Sequence, residues 1–213
     1  MKLNEFEESV AVGRKYLSDN DAVLKRIIEN IGEFKIKPHK NYFETLVESI
    51  VSQQLSLKAA ETIFNRFKVL FSSDMNKRFP EPAEIIIMND IKIRECGFSN
   101  AKVKYVKDLS AKVLDDTVQI HKMHKLSDEE IINELVKVKG IGVWTAHMFL
   151  MFCLARLNVL PVGDLGLKRA VMINYKLRKF PDEKKVEQIS KKNNWSPYNT
   201  IASWYLWQSL KSL

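Results

Sequence analysis

Val138-Lys139-Gly140-Ile141-Gly142-Val143-Trp144-Thr145-Ala146 joins two apolar runs. Ile131, Ile132, Leu135, Val136 and Val138 precede the glycines, and Trp144, Met148, Phe149, Met151 and Phe152 follow them. Both runs read as helices. Two glycines around one apolar residue let the backbone turn sharply between them, because glycine accepts positive φ without steric cost. The second helix then begins with N–H groups that lack intrahelical acceptors, an arrangement suited to a phosphate. Twenty-two residues beyond Gly142 stands Asp164, just past Gly163 and ahead of another helical run. A phosphate cradle followed at this spacing by one carboxylate is the main functional signal in the chain.

Outward from this joint the helical period recurs. Phe43, Leu46, Val47, Ile50 and Val51 share one helix face. After Ser52-Gln53-Gln54-Leu55-Ser56 a second helix carries Leu57, Ala60, Ile63, Phe64, Phe67 and Leu70, with Ser56 as its N-cap. Phe6, Val10, Leu17, Val23, Leu24, Ile27 and Ile28 predict two short N-terminal helices, broken and capped within Ser18-Asp19-Asn20-Asp21. Residues 35–40, around Pro38, read as a loop, residues 72–82 as a connector with Pro80 and Pro82, residues 83–88 as a short apolar turn, and residues 115–126 as irregular. Cys96-Gly97-Phe98-Ser99 closes one helix and caps the next, which has Val103, Val106, Leu109 and Val113 on one face and Lys102, Lys104 and Lys107 on the other. Ser127-Asp128-Glu129-Glu130 is a strong helix start leading into the glycine joint. Beyond Asp164, Leu167, Val171, Met172 and Tyr175 predict a helix continuing to Phe180-Pro181. Residues 184–192 form a basic amphipathic segment, and Trp195-Ser196-Pro197-Tyr198 leads into a last helix through Ile201, Ala202, Tyr205 and Leu210. No run has the period of two that marks a strand, and no internal repeat is visible. The expected fold class is all-α.

Composition narrows the function classes. A chain of 213 residues has room for one or two compact units. With 46% apolar and 28% charged residues it is globular rather than disordered. The net charge of +8 is unevenly spread: residues 135–213 hold thirteen Lys/Arg against four Asp/Glu, and the rest is close to neutral. That points either to a polyanion partner on the side built from the C-terminal third or to a solvated basic surface. Cys96 and Cys153 cannot supply a four-cysteine cluster or a disulfide framework, which suggests a reducing compartment. His121 and His124 lack a third ligand nearby, so no metal site made of side chains is expected. Residues 148–154 are too short to span a membrane before Arg156 interrupts, and the acidic start (Glu5, Glu7, Glu8) has no signal-peptide core. The expectation is an intracellular protein, of cytoplasm, nucleoid or nucleus, with no membrane partner.

The joint fits the helix-hairpin-helix pattern, whose backbone amides hold a DNA phosphate without reading sequence. Extended from Lys139-Gly140-Ile141-Gly142-Val143-Trp144-Thr145-Ala146 through Leu160-Pro161-Val162-Gly163-Asp164-Leu165-Gly166-Leu167-Lys168, it resembles the helix-hairpin-helix/Gly-Pro-Asp superfamily of DNA glycosylases. Within that superfamily the similarity is to the alkylbase branch, the 3-methyladenine DNA glycosylase II (AlkA/Mag-like) group. The helix pair around Ser52–Ser56 and the terminal Trp195-Ser196-Pro197-Tyr198 and Ala202-Ser203-Trp204-Tyr205-Leu206-Trp207 fit too, so the likeness covers roughly residues 40–210.

The resemblance implies a helical fold of two lobes in one glycosylase unit, without the N-terminal β-domain of some larger relatives. One lobe is expected over about residues 35–125. The other combines residues 1–34 with 126–213 and carries the hairpin (131–152) and the catalytic carboxylate, with a DNA groove between the lobes. Asp164 takes the catalytic position; it is equally well placed as a helix N-cap, and the two roles are compatible because a helix N-terminus favours an anion. Gly140, Ile141, Gly142 and Thr145 become DNA-binding residues. Gln54 or Ser56 is the candidate to fill the gap left by a flipped base, and both also suit a plain interhelical turn. Lys168 is a candidate phosphate contact or a solvated cation. In relatives that also nick the backbone, a Schiff-base lysine holds the second position after the last hairpin glycine. Here that residue is Trp144, either a base-pocket aromatic that attracts a cationic purine or a core aromatic.

The implied activity is therefore a monofunctional glycosylase acting on alkylated purines in double-stranded DNA, as a monomer and with no cofactor beyond a possible monovalent ion at the hairpin carbonyls. A non-catalytic lesion-binding protein and a glycosylase for deaminated or oxidised bases are the alternatives. Two departures matter. The iron–sulfur cysteines of other branches are absent, and Asn199 stands where the family usually has arginine, which puts a phosphate contact there in doubt.

Overall fold

The computed structural model describes residues 3–72 and 78–212, so the middle of the expected connector, residues 73–77, lies outside the described residues. The described residues form twelve α-helices and no strand, as the all-α reading expects. In chain order these are α1 (Leu3–Asn20), α2 (Ala22–Ile31), α3 (Tyr42–Ser52), α4 (Leu57–Leu70), α5 (Pro82–Ile87), α6 (Asp90–Glu95), α7 (Asn100–Leu114), α8 (Asp128–Leu135), α9 (Val143–Phe152), α10 (Leu165–Asn174), α11 (Glu183–Lys192) and α12 (Asn199–Ser209). Several starts carry the caps legible in sequence. Asp21, Ser56, Ser99 and Ser127 each accept backbone N–H groups from the first turn that follows, and Ser127 with Glu130 makes a full capping box.

Two compact units are built from the described parts of the chain, one from Met1–His39 with Leu150–Leu213 and the other from Lys40–Phe149. In the first, α12 packs against α1, α2 and α10. Its residues 199–206 are all buried, polar Asn199, Thr200 and Ser203 included, as in a helix enclosed by neighbours. In the second, α3 packs on α4 and α7, and α5 on α7. Phe64, Phe67, Phe71, Phe79 and Phe98 form an aromatic cluster with Phe67 fully buried, and burying one such ring contributes about 1.5–3 kcal/mol.

The hairpin turn lies in the Lys40–Phe149 unit. The cause is polar as well as apolar: the Glu134 carboxylate accepts from Gln119 N–H at 2.9 Å, and the Asp108 carboxylate accepts from Lys139 N–H at 2.8 Å. Of residues 83–88, expected as a turn, 83–87 lie in helix α5, started by Glu81 and Pro82, and Met88 is its C-cap. Finally, α10 stops at Asn174 instead of running to Phe180. Lys176 adopts φ 53, and Leu177 N–H reaches back to the Met172 carbonyl at 2.9 Å, closing the helix in a Schellman turn. The same stop lets Tyr175 donate to the buried Asp21 carboxylate.

Candidate functional site

In the Lys40–Phe149 unit the turn between α8 and α9 has the conformation its glycines suggest, but the two glycines differ. Gly140 has φ 83, and a Cβ there would sit 2.2 Å from Cδ2 of Tyr105, so backbone strain and the tyrosine ring both require glycine. A Cβ on Gly142 would meet nothing within 4 Å. The side chains of Ile141 and Thr145 are buried, which leaves only their backbone for an external phosphate. Ala146 N–H to the Gly142 carbonyl, at 3.0 Å, is the first bond of α9, and the amides ahead of it belong to the turn. Trp144 is half exposed in the first turn of α9.

Helix α7 braces this turn. Besides the Tyr105 ring on Gly140, Asp108 receives Lys139 N–H and the Lys112 ammonium. Burial alone pushes the Asp108 carboxyl up, but the Lys112 and Lys139 hydrogen bonds outweigh it and leave the pKa below the ordinary carboxylate value. Of the three lysines expected on one face of α7, Lys104 is exposed, Lys107 donates to the Met88 carbonyl, and Lys102 turns inward to the carbonyls of Val51 and Gln53.

The two residues proposed to fill a flipped-base gap separate. Ser56 is the N-cap of α4, its hydroxyl accepting Ala59 N–H at 3.4 Å. Gln54 is exposed and left-handed at φ 57, a conformation uncommon outside glycine, in the loop joining α3 to α4. Its neighbour Gln53 donates its amide to the Gly140 carbonyl at 2.7 Å and so ties this loop to the hairpin turn.

In the unit that carries it, Asp164 caps α10. Its Oδ1 accepts Leu167 N–H at 2.6 Å and the indole N–H of Trp207 at 2.8 Å. A Cβ on Gly166 would lie 3.1 Å from that oxygen and 3.3 Å from the Trp207 ring, so Gly166 keeps the carboxylate–indole pair uncrowded. The Phe152 ring stacks on Trp207 at 5.9 Å and 24°. Lys168 is not the exposed cation envisaged. Its side chain is 13% exposed and its ammonium stands 3.8 Å from a Glu183 carboxylate oxygen. Asn199 is likewise engaged internally, accepting from Ser190 and donating to Asn158.

Sequence reading missed Gln53, Lys102, Tyr105, Gly166 and Trp207. All but Tyr105 stood in stretches quoted above, but none carried a sign of its partner, which for Trp207 lies 43 positions away. The hairpin carbonyls are neutral hard oxygens, the donor type that alkali cations accept, although the Gly140 carbonyl is already engaged by Gln53. Among the described residues no group of three or more His, Cys, Asp or Glu could hold a metal ion, and no helix is long and apolar enough to cross a membrane.

The profile of the HhH-GPD superfamily of base excision DNA repair proteins matches residues 47–195, spanning hairpin and Asp164 alike. The chain belongs to this superfamily. It is 34% identical over 211 residues to DNA-3-methyladenine glycosylase 1 of Schizosaccharomyces pombe, covering 97% of this chain and 90% of that one. Among solved structures, that organism's 3-methyladenine DNA glycosylase in complex with abasic DNA superposes with a TM-score of 0.79 at 35% identity, covering 93% of this chain and 96% of the other. A DNA-3-methyladenine glycosidase from Bacillus halodurans also gives 0.79 at 35% identity, covering 92% and 88%. Within the HhH-GPD frame the hairpin glycines and the N-cap aspartate therefore stand as two separately built parts, one in each compact unit.

Proposed function

We propose that this protein is a monofunctional DNA glycosylase. It acts as a monomer in base excision repair and removes alkylated purines of the 3-methyladenine and 7-methylguanine type from double-stranded DNA. The observation that carries this reading is Asp164, whose carboxylate is oriented by Leu167 N–H and the Trp207 indole in a superfamily member whose similar relatives are 3-methyladenine glycosylases.

The chemistry needs little more than a fixed negative charge. An N-alkylated purine carries positive charge, so when the C1′–N bond breaks the bonding electrons leave with the base as a neutral molecule. The sugar becomes oxocarbenium-like, and a carboxylate beside it stabilises that charge. Water then bonds to C1′, with Asp164 orienting it and taking its proton, which leaves an abasic site. Trp144, at the position where strand-nicking relatives have lysine, offers no amine for a Schiff base. Its face attracts a cationic base by about 0.5–2 kcal/mol. The turn amides around Gly140–Gly142 anchor the strand, with any monovalent ion at the hairpin carbonyls adding positive charge there, and Gln54 fills the gap in the stack.

The test is base release from duplexes containing 3-methyladenine, 7-methylguanine, 3-methylguanine, hypoxanthine or ethenoadenine. The expected result is free alkylpurine and a strand that breaks only on heating in alkali, with no release by Asp164→Asn despite retained DNA binding. DNA binding without release from any substrate would instead establish a lesion-binding protein, and strand cleavage trapped by borohydride would establish a lyase.

A further inference from the structure

The loop that carries Gln54 is a type II turn in its backbone. Gln53 has φ −52 and ψ 128, Gln54 has φ 57, and Leu55 N–H donates to the Ser52 carbonyl at 3.2 Å. The third position of such a turn is normally glycine, and a residue with a Cβ there costs about 1–2 kcal/mol. The competing type I turn relieves that cost by flipping the Gln53–Gln54 peptide. The flip reverses the Gln53 carbonyl, moves Gln54 to negative φ and takes that carbonyl away from the Gln54 Cβ. Something must therefore hold the flipped peptide in place.

Lys102 supplies that hold. From the first turn of α7 its ammonium donates to the Val51 carbonyl at 2.7 Å and to the Gln53 carbonyl at 2.8 Å. The first is an orphan acceptor at the C-terminus of α3. The second is the carbonyl whose direction distinguishes the two turn types. The Gln53 side chain makes a second tie, donating to the Gly140 carbonyl at 2.7 Å. Three and six residues further along α7, Tyr105 and Asp108 fix Gly140 and Lys139. One helix thus sets both the loop and the phosphate-binding turn. Burial lowers the Lys102 pKa, consistent with an ammonium partly withdrawn from water, where a charge-assisted hydrogen bond is strengthened.

We propose that Lys102 is a positioning residue, which selects the left-handed conformation of Gln54 and locks its loop to the hairpin turn so that the loop enters DNA preformed. This rests on the glycosylase reading above. Lys102 touches neither substrate nor the reacting atoms and acts through the peptide it holds.

The experiment uses the full-length protein with Lys102→Met, which keeps the stem and removes the ammonium, and Lys102→Arg, which keeps the charge. The first readout needs no DNA: amide hydrogen exchange. In Lys102→Met the Leu55 amide is expected to exchange at least about tenfold faster, from the loss of charged hydrogen bonds, while the Ala60 amide inside α4 stays protected. The second is single-turnover release of 7-methylguanine from a duplex. There the maximal rate should fall on the order of tenfold, the half-saturating enzyme concentration should stay within about twofold, and Lys102→Arg should recover most of the rate. Unchanged Leu55 exchange overturns the proposal, as does weakened half-saturation at an unchanged maximal rate. Faster exchange throughout α3, α4 and α7 also overturns it, because that is general destabilisation. If the wild type releases no base, the glycosylase reading fails while the exchange measurement still decides the latch.

Discussion

Replacing Asp164 separates its capping role from the catalytic role proposed for it, because both observed donors converge on one oxygen. Leu167 N–H and the Trp207 indole both bond to Oδ1. In Asp164→Asn the amide oxygen takes over both of these bonds, and the variant loses the charge and its attraction to the helix N-terminus, worth about 0.3–1 kcal/mol. In Asp164→Ala the cap disappears, at about 1 kcal/mol, and the half-buried indole loses its acceptor, at a further 1–3 kcal/mol. At about 3 °C per kcal/mol for a chain of this size, Asn is expected to lower Tm by no more than about 3 °C and Ala by roughly 6–12 °C. Catalysis should not follow stability. If Asp164 stabilises the sugar and takes the water's proton as proposed, both variants fall on the order of 100- to 10,000-fold in single-turnover base release. DNA affinity, read by fluorescence anisotropy on a duplex with a stable abasic analogue, should hold for Asn within a few-fold. If Asp164→Asn releases 7-methylguanine at the wild-type rate, Asp164 is a helix cap and nothing more.

The hairpin glycines should part company. Gly140→Ala meets Tyr105 and a left-handed φ, and should cost about 2 kcal/mol or more in urea unfolding. Gly142→Ala should leave stability within about 0.5 kcal/mol yet weaken DNA binding at least about tenfold; equal binding would show that the strand does not approach there. Asp21 is buried and accepts Trp195 indole N–H at 2.9 Å, Tyr175 hydroxyl at 2.5 Å and two N–H groups of α2, so Asp21→Ala should cost about 3 kcal/mol or more, and a loss under about 1 kcal/mol would show that network to be dispensable. His147 has its pKa lowered by burial, which outweighs the nearby Asp128 carboxylate. The unfolded chain then takes its proton first as pH falls below about 6.5, so this contribution to stability is intact above that value and is lost as pH drops through the folded pKa. His147→Gln should flatten the fall in urea midpoint between pH 7 and pH 5, and an unchanged slope would assign the acid sensitivity elsewhere.

Local chemistry wrote most of the helices into the sequence. Apolar residues at helical spacing and Ser or Asp caps act within a few residues, so α4, α7 and α8 start where their caps stand. The glycine joint and Asp164 were legible for the same reason, since a turn needing positive φ and a cap ahead of a helix are short-range facts. The stop of α10 at Asn174 was not, because Tyr175 leaves the helix for a carboxylate 154 positions away. Which of three α7 lysines turns inward, which hairpin glycine faces a ring, and that Trp207 holds Asp164 were equally hidden. Each depends on a partner that only folding brings near, and sequence spacing carries no record of that distance. The stretch from Val138 to Ala146 determined by itself that two helices meet in a tight glycine turn. Tertiary structure alone decided that α7 braces that turn, that Gln53 clasps it to the Gln54 loop, and that Asp164 is aimed by an indole, because side-chain hydrogen bonds of 2.6–2.8 Å are made by packing and not by periodicity.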